Sequence, residues 1–206
     1  MARILDVLAH RQGARKAVTA AAVALIVLAL GMLAFPVYSD LYHNSLQARL
    51  GKELGSPRIR SAYLSGTLKS GQSLARIQIP KLGVNVVVVQ GVDEKALEAG
   101  AGHYPASPLP CQQGDVAIAG HRTTYGKPFA NVDRLVPGDR IILTTPVGSC
   151  TYRVSRPPFV VLPTDLQVVA NTPHQSELTL TSCDPKGSAS HRIVIKATML
   201  ASNSSE

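Results

Sequence analysis

The chain has 206 residues, a formal net charge of +8, 45% hydrophobic side chains and three cysteines. That length holds one domain with appendages. Aromatic residues make up only 4% and no dense basic stripe occurs, which excludes the stacking platforms and basic grooves that nucleic-acid binding needs.

Part of the charge is local: Arg3, Arg11, Arg15 and Lys16 stand against Asp6 alone in residues 1–16. Residues 17–35 follow as a run of apolar and small side chains in which Thr19 is the one polar residue. At ~1.5 Å per helical residue the run spans ~28 Å, the hydrocarbon thickness of a bilayer. Basic residues before it and none soon after predict a cytoplasmic 1–16, a transmembrane anchor over 17–35 and an exterior remainder. A cleaved signal peptide is the competing reading, with Val37-Tyr38-Ser39 at a plausible cleavage distance. The length of the run favours the uncleaved anchor. Residues 36–73 read as a helical stalk and linker. Tyr42, Leu46, Leu50 and Leu54 recur at one-turn spacing, Gly55-Ser56-Pro57 ends the helix, and residues 55–73 are rich in Ser, Gly and basic side chains. Whether residues 59–64 dock on the domain is left open by the pattern.

The globular domain is expected over 74–200, with a tail over 201–206. Alternation predicts strands at 75–80 and 84–90, a short helix at 93–99, a loop at 100–113 and a strand at 115–119. A helical turn is expected near 127–135, a hairpin from 140–145 and 151–155 around 146–149, and a sheet extension at 159–162. Two last strands, 177–183 and 192–197, complete the domain. Many short strands with little helix give a mainly β class and a closed or nearly closed barrel.

The strand Glu177-Leu178-Thr179-Leu180-Thr181-Ser182-Cys183 puts Leu178 and Leu180 on one face and Thr179, Thr181 and Cys183 on the other. Asp184-Pro185 stops it, since proline lacks a ladder donor. The thiol therefore stands at a strand end, as do His121 and Arg192. A free thiol, with a pKa near ~8.5, is only partly thiolate at neutral pH, and a neighbouring cation favours the thiolate. Histidine can protonate a leaving amine and deprotonate an incoming one. Arginine can hold an oxyanion with paired donors. Together these are the groups that acyl transfer through a thioester requires. For the other two cysteines, an odd count outside the cytoplasm leaves one disulfide and one free thiol, or three thiols. Cys111–Cys150 is the pair if Cys183 is the reactive residue.

These residues carry a resemblance. Thr179-Leu180-Thr181-Ser182-Cys183 resembles the TLxTC signature of sortases, with Arg192 nine residues on. Ala119-Gly120-His121-Arg122-Thr123-Thr124-Tyr125-Gly126 is similar to the sortase histidine segment. With Gly102-His103-Tyr104-Pro105 upstream, the set most resembles class E sortases of actinobacteria, over residues 74–200. The resemblance implies a sortase-type closed β-barrel of about eight strands behind a membrane anchor. It implies attack by Cys183 on the Thr–Gly carbonyl of an LAxTG/LPxTG-like C-terminal sorting signal of a secreted protein, then transfer to an amine of a peptidoglycan precursor or pilin. His121 would be the acid and base, and Arg192 would orient substrate and oxyanion. Tyr125, Thr123, Thr181 and Ser182 would border the substrate, with Tyr125 reading the signal. No cofactor is implied. A zinc site from His103, His121 and Cys183 lacks ligand spacing, and Asp93, Glu94 and Glu98 read as a solvated helix face.

Ser182 replaces the usual threonine, and Lys186-Gly187 departs from the family's usual loop. The rival readings are an L,D-transpeptidase-like cell-wall acyl-transferase, which would show a Ser-x-Gly-Cys block, and a non-catalytic tethered binding domain, which needs no His, Cys and Arg set. His103 reads as structural, bonding a loop carbonyl, while His43 and His174 show no pattern.

Overall fold

Period-two patterning becomes a barrel. The computed structural model describes residues 12–204, with the side chains of all but 12, 14, 35–40 and 201–204. Most of the basic segment 1–16 and the end of the tail, 205–206, lie outside the described residues. Strands β1 (Ser73–Ile79), β2 (Val84–Gln90), β3 (Ala101–His103), β4 (Gly114–Ala119), β5 (Arg140–Thr145), β6 (Gly148–Val154), β7 (Phe159–Val161), β8 (Ser176–Asp184) and β9 (His191–Ser204) form one sheet. Hydrogen bonding runs β6-β5-β1-β2-β3-β4-β8-β9, and β6 pairs back to β9. Eight strands thus close on themselves, and β7 adds a ninth along the first half of β9. The pairs β2–β3 and β4–β8 are parallel, the others antiparallel.

Two elements differ from the pattern. Strand β3 lies within the stretch read as loop, because Ala-Gly-His offers no β-branched residue. Its neighbours make it a strand: Val88 to Gln90 on one side and Ile118 and Ala119 on the other. Strand β9 has 14 residues, well beyond 192–197, because β7 and β8 pair with its first part and β6 with the rest.

Leu178 and Leu180 enter the barrel beside Val116, Ile118, Ile193 and Ile195, all fully or almost fully buried. Each such side chain contributes about 1.5–3 kcal/mol of transfer free energy. The opposite face of β8 is also covered. Thr179 Oγ1 lies 2.7 and 2.8 Å from the carboxylate oxygens of Asp115, and Lys196 Nζ lies 2.7 Å from Asp115. Burial pushes the Asp115 pKa up, opposed by these partners.

Helix α1 (Gln12–Leu54) belongs to two units, divided at Leu41. In the first, the stretch Arg15–Ala34 is long and apolar enough to cross a membrane. In the second, the last turns of α1 pack on the barrel within the stretch read as stalk. Gln47 donates to the Ala99 carbonyl at 2.6 Å and accepts from the Val87 amide at 2.7 Å. Leu50 is buried with Val87, Val89, Ala96 and Ala99. Helix α2 (Pro57–Leu64) is capped by Ser56, starts on proline and buries Ile59 and Tyr63. Docking here is settled by Ile59, wholly buried, and by Tyr63, whose hydroxyl donates to the Pro110 carbonyl and whose burial raises its pKa to about 12. Helix α3 (Glu94–Ala99) begins at Asp93, whose carboxylate accepts from the Ala96 amide at 3.1 Å.

Cys111 and Cys150 form a disulfide with Cα atoms 5.5 Å apart, joining the β3–β4 loop to β6. The bond spans 39 residues, a loop whose closure stabilises by roughly 4 kcal/mol in the chain-entropy account. Reduction is expected to lower the melting temperature by roughly 5–15 °C, measured by circular dichroism with and without reductant. An unchanged melting curve would show that the bond contributes nothing to the fold.

Candidate active site

The site follows from two registers. In the antiparallel β8–β9 pair, Cys183 lies directly opposite Arg192, so their Cβ atoms are about 4.5–5.5 Å apart on one face. In the parallel β4–β8 pair, Ala119 is level with Thr181, and the Gly120 amide still donates to the Thr181 carbonyl at 3.1 Å. Two residues further along both chains are His121 and Cys183. The sheet thus brings residues Cys183, His121 and Arg192 to one rim of the barrel. Cys183 is the free cysteine among the described residues and is half-buried, which leaves it held yet reachable. Arg192 donates through Nη1 to the carbonyls of Ala189 at 3.0 Å and His191 at 2.9 Å.

Gly120 is needed for close approach. A Cβ there would lie 2.6 Å from the ring of Phe129, which is fully buried and whose amide donates to the His121 carbonyl at 3.0 Å. Beyond His121 the loop turns through positive φ at Tyr125 (49°), Gly126 (70°) and Lys127 (50°). This turn brings the Tyr125 ring to 5.2 Å from the His121 ring, at 46°. The Tyr125 hydroxyl donates to Glu98 at 3.2 Å. Burial pushes the His121 pKa below the ordinary imidazole value, and the Glu98 carboxylate pulls the other way. The resting ring is therefore neutral at neutral pH.

The remaining sequence-derived residues are placed unevenly. Thr181 is buried, with its Oγ1 3.1 Å from the Tyr104 hydroxyl. Thr123 is exposed on the histidine loop, and Tyr125 is 38% exposed. Ser182, read as bordering the substrate, is instead buried and donates to the Gly120 carbonyl at 2.6 Å. Alternation turns it away from the face of Cys183. It joins the cysteine strand to the residue before His121.

Glu98 also departs from its reading as part of a solvated face, since it meets Tyr125. Nothing local marks that contact; it depends on where α3 sits. His103 is fully buried, with Nε2 2.8 Å from the Pro108 carbonyl and Nδ1 2.8 Å from Gln90. Burial lowers its pKa to about 4, as befits a neutral structural histidine. His43, patternless in sequence, is buried on the last part of α1, and its ring occupies the space where a Gly126 Cβ would stand.

Comparisons with known proteins agree with this fold. The sortase domain family matches residues 77–200, and the chain belongs to the sortase family. Sortases as a class are cysteine transpeptidases. Among the relatives, sortase SrtE1 of Streptomyces coelicolor is 28% identical over 188 residues, which is 82% of this chain and 53% of that protein. The chain thus spans about half the length of that relative. The solved sortase E of Streptomyces avermitilis is 34% identical with a TM-score of 0.61, over 66% of this chain and 93% of that one. A Clostridium perfringens sortase D5 transpeptidase is 26% identical with a TM-score of 0.67, over 77% of this chain and 98% of that one.

Gly120→Ala is expected to cost about 1–3 kcal/mol of stability, since the buried ring of Phe129 must move to admit the methyl group. Urea denaturation measures this as a lowered midpoint. A midpoint equal to that of the native chain would mean that the ring is not held against the backbone.

Proposed function

We propose that this chain is a membrane-anchored cysteine transpeptidase. It cleaves an LAxTG/LPxTG-like sorting signal between Thr and Gly and passes the acyl group to an amine of a cell-wall precursor or pilin. The observation that supports the reading is the register of β8, which sets Cys183 opposite Arg192 and, two residues past the Ala119–Thr181 pair, leaves His121 and Cys183 at the same end of adjoining strands.

The Cys183 thiolate attacks the threonine carbonyl carbon. Arg192, facing it across the strand pair, steadies the oxyanion. The oxyanion collapses, the C–N bond to glycine breaks, and the amine leaves with a proton from the His121 imidazolium. A thioester remains on Cys183. The acceptor amine then attacks it, gives its proton to His121 and displaces the sulfur, restoring both groups. Because burial favours neutral His121, the thiolate–imidazolium pair is a minor form of the resting site, as the family resemblance implies. Thr123 and Tyr125, exposed on the histidine loop, are the proposed substrate contacts, with Tyr125 the proposed reader of the signal; Thr181, buried against Tyr104 on the same face of β8 as Cys183, is proposed to border them. Support for the anchor comes from the Arg15–Ala34 stretch and from the basic residues before it, which favour a cytoplasmic N-terminus and an exterior catalytic domain.

The test is intact-mass analysis of the chain incubated with an LAxTG or LPxTG peptide and a primary amine. The expected result is an acyl adduct on Cys183, an amine-linked product and loss of both in Cys183→Ala. Absence of adduct and product with both peptides would sink this reading in favour of a binding domain. A second expectation concerns pH. The acidic limb of kcat/KM is set by His121 and should fall below about pH 6.5, the free imidazole value. Glu98→Gln removes the charge that raises the His121 pKa, so its limb should move to still lower pH. A limb that stays put or moves up would break the link between Glu98 and the imidazole.

A further inference from the structure

We propose that Arg122 is a positioning residue that locks the histidine loop to the end of the cysteine strand. It deepens the transpeptidase reading, on which its kinetic test rests. Arg122 follows His121 directly, yet only 6% of it is exposed. Its Nη1 donates to the carboxylate of Asp184, the residue after Cys183, and lies 3.5 Å from the Cys183 carbonyl. Its Nη2 donates to Asp133 Oδ1 at 2.8 Å. Asp133 belongs to the short turn Val132–Arg134. A second tie joins the same two segments: Lys186 Nζ donates to Asn131 Oδ1 at 3.0 Å.

One planar fork therefore holds three pieces of chain that meet behind the rim. The guanidinium end of the clamp is buried, while the Asp184 and Asp133 side chains keep part of their surface exposed. A buried guanidinium is costly unless several partners satisfy it, and here the Nε is buried with no partner among the described residues. The fold keeps the cation in place despite that loss. Lysine could not reproduce the arrangement, because its single ammonium cannot present two fixed donors to carboxylates on separate segments. On β8, Cys183 and Asp184 point to opposite faces, so the clamp grips the strand from behind while the thiol stays open to substrate. Small displacements of a reacting pair cost rate steeply. A residue that fixes the backbone beside both His121 and Cys183 therefore acts on the chemical step through them.

The test uses the 206-residue chain in detergent with Arg122→Lys, and Asp184→Asn as a second variant that removes the charge of one arm while leaving the guanidinium in place. Amide hydrogen exchange needs no substrate. Peptides over 119–128 and 181–188 should both exchange at least tenfold faster in Arg122→Lys and at least threefold faster in Asp184→Asn, with the 140–154 hairpin within twofold of native. In the peptide–amine assay, kcat should fall at least tenfold in Arg122→Lys with KM within threefold. Unchanged exchange in either segment, equal acceleration in the hairpin, or a loss confined to KM overturns the clamp. Should Arg122→Lys not fold, Asp184→Asn decides by the same exchange criteria. A native chain without any turnover would instead overturn the transpeptidase reading, and the exchange result would still judge the clamp.

Discussion

The double pairing of β8 is the constraint on which the site depends. Antiparallel β9 fixes one flank and parallel β4 the other. In a strand, a slip of one residue exchanges the two faces. Such a slip here would carry Leu178 and Leu180 out of the core and turn Cys183 away from Arg192. Both faces resist it: the leucines are buried inside, and Thr179 is held outside by Asp115, itself paired with Lys196. A slip would leave the Asp115 carboxylate buried with fewer partners, a large penalty in a low-dielectric setting. The Cys183 thiol thus takes its place from interactions made by its neighbours on the strand.

The rim has a second layer of support in the helices. Gln47 on α1 holds the Ala99 carbonyl at the end of α3. The preceding residue, Glu98, reaches the Tyr125 hydroxyl, and the Tyr125 ring lies against His121. His43 packs where Gly126 leaves room. From His43 onward, one side of α1 packs on the barrel, and its contacts continue to the histidine loop.

The site is electrostatically uneven. His121 is held toward its neutral form by burial, with Glu98 opposing. His103 is held neutral more strongly, wholly buried and bonded at both ring nitrogens. The two histidines come from neighbouring strand ends, yet one has both ring nitrogens engaged and the other meets solvent. Depth and partners separate their roles, which residue type alone does not.

The amino-acid sequence by itself determined the alternation of β8, the thiol at its end, the apolar stretch of α1 and the order histidine, cysteine, arginine. These are properties of consecutive residues, and side-chain period and turn chemistry act over that range. It also sufficed for the mainly β class, because many short strands with turn signals and little helix bury their faces against one another. Tertiary structure decided the rest. Strand β3 exists because β2 and β4 flank it. Alternation already turns Ser182 inward, but its partner, the Gly120 carbonyl, comes from the end of a neighbouring strand. Glu98 and His43 met the histidine loop because α3 and the end of α1 dock there. Arg122 found Asp133 and Asp184 across 11 and 62 residues. Such contacts join segments that carry no local mark of one another, and only closure of the barrel brings them within bonding distance.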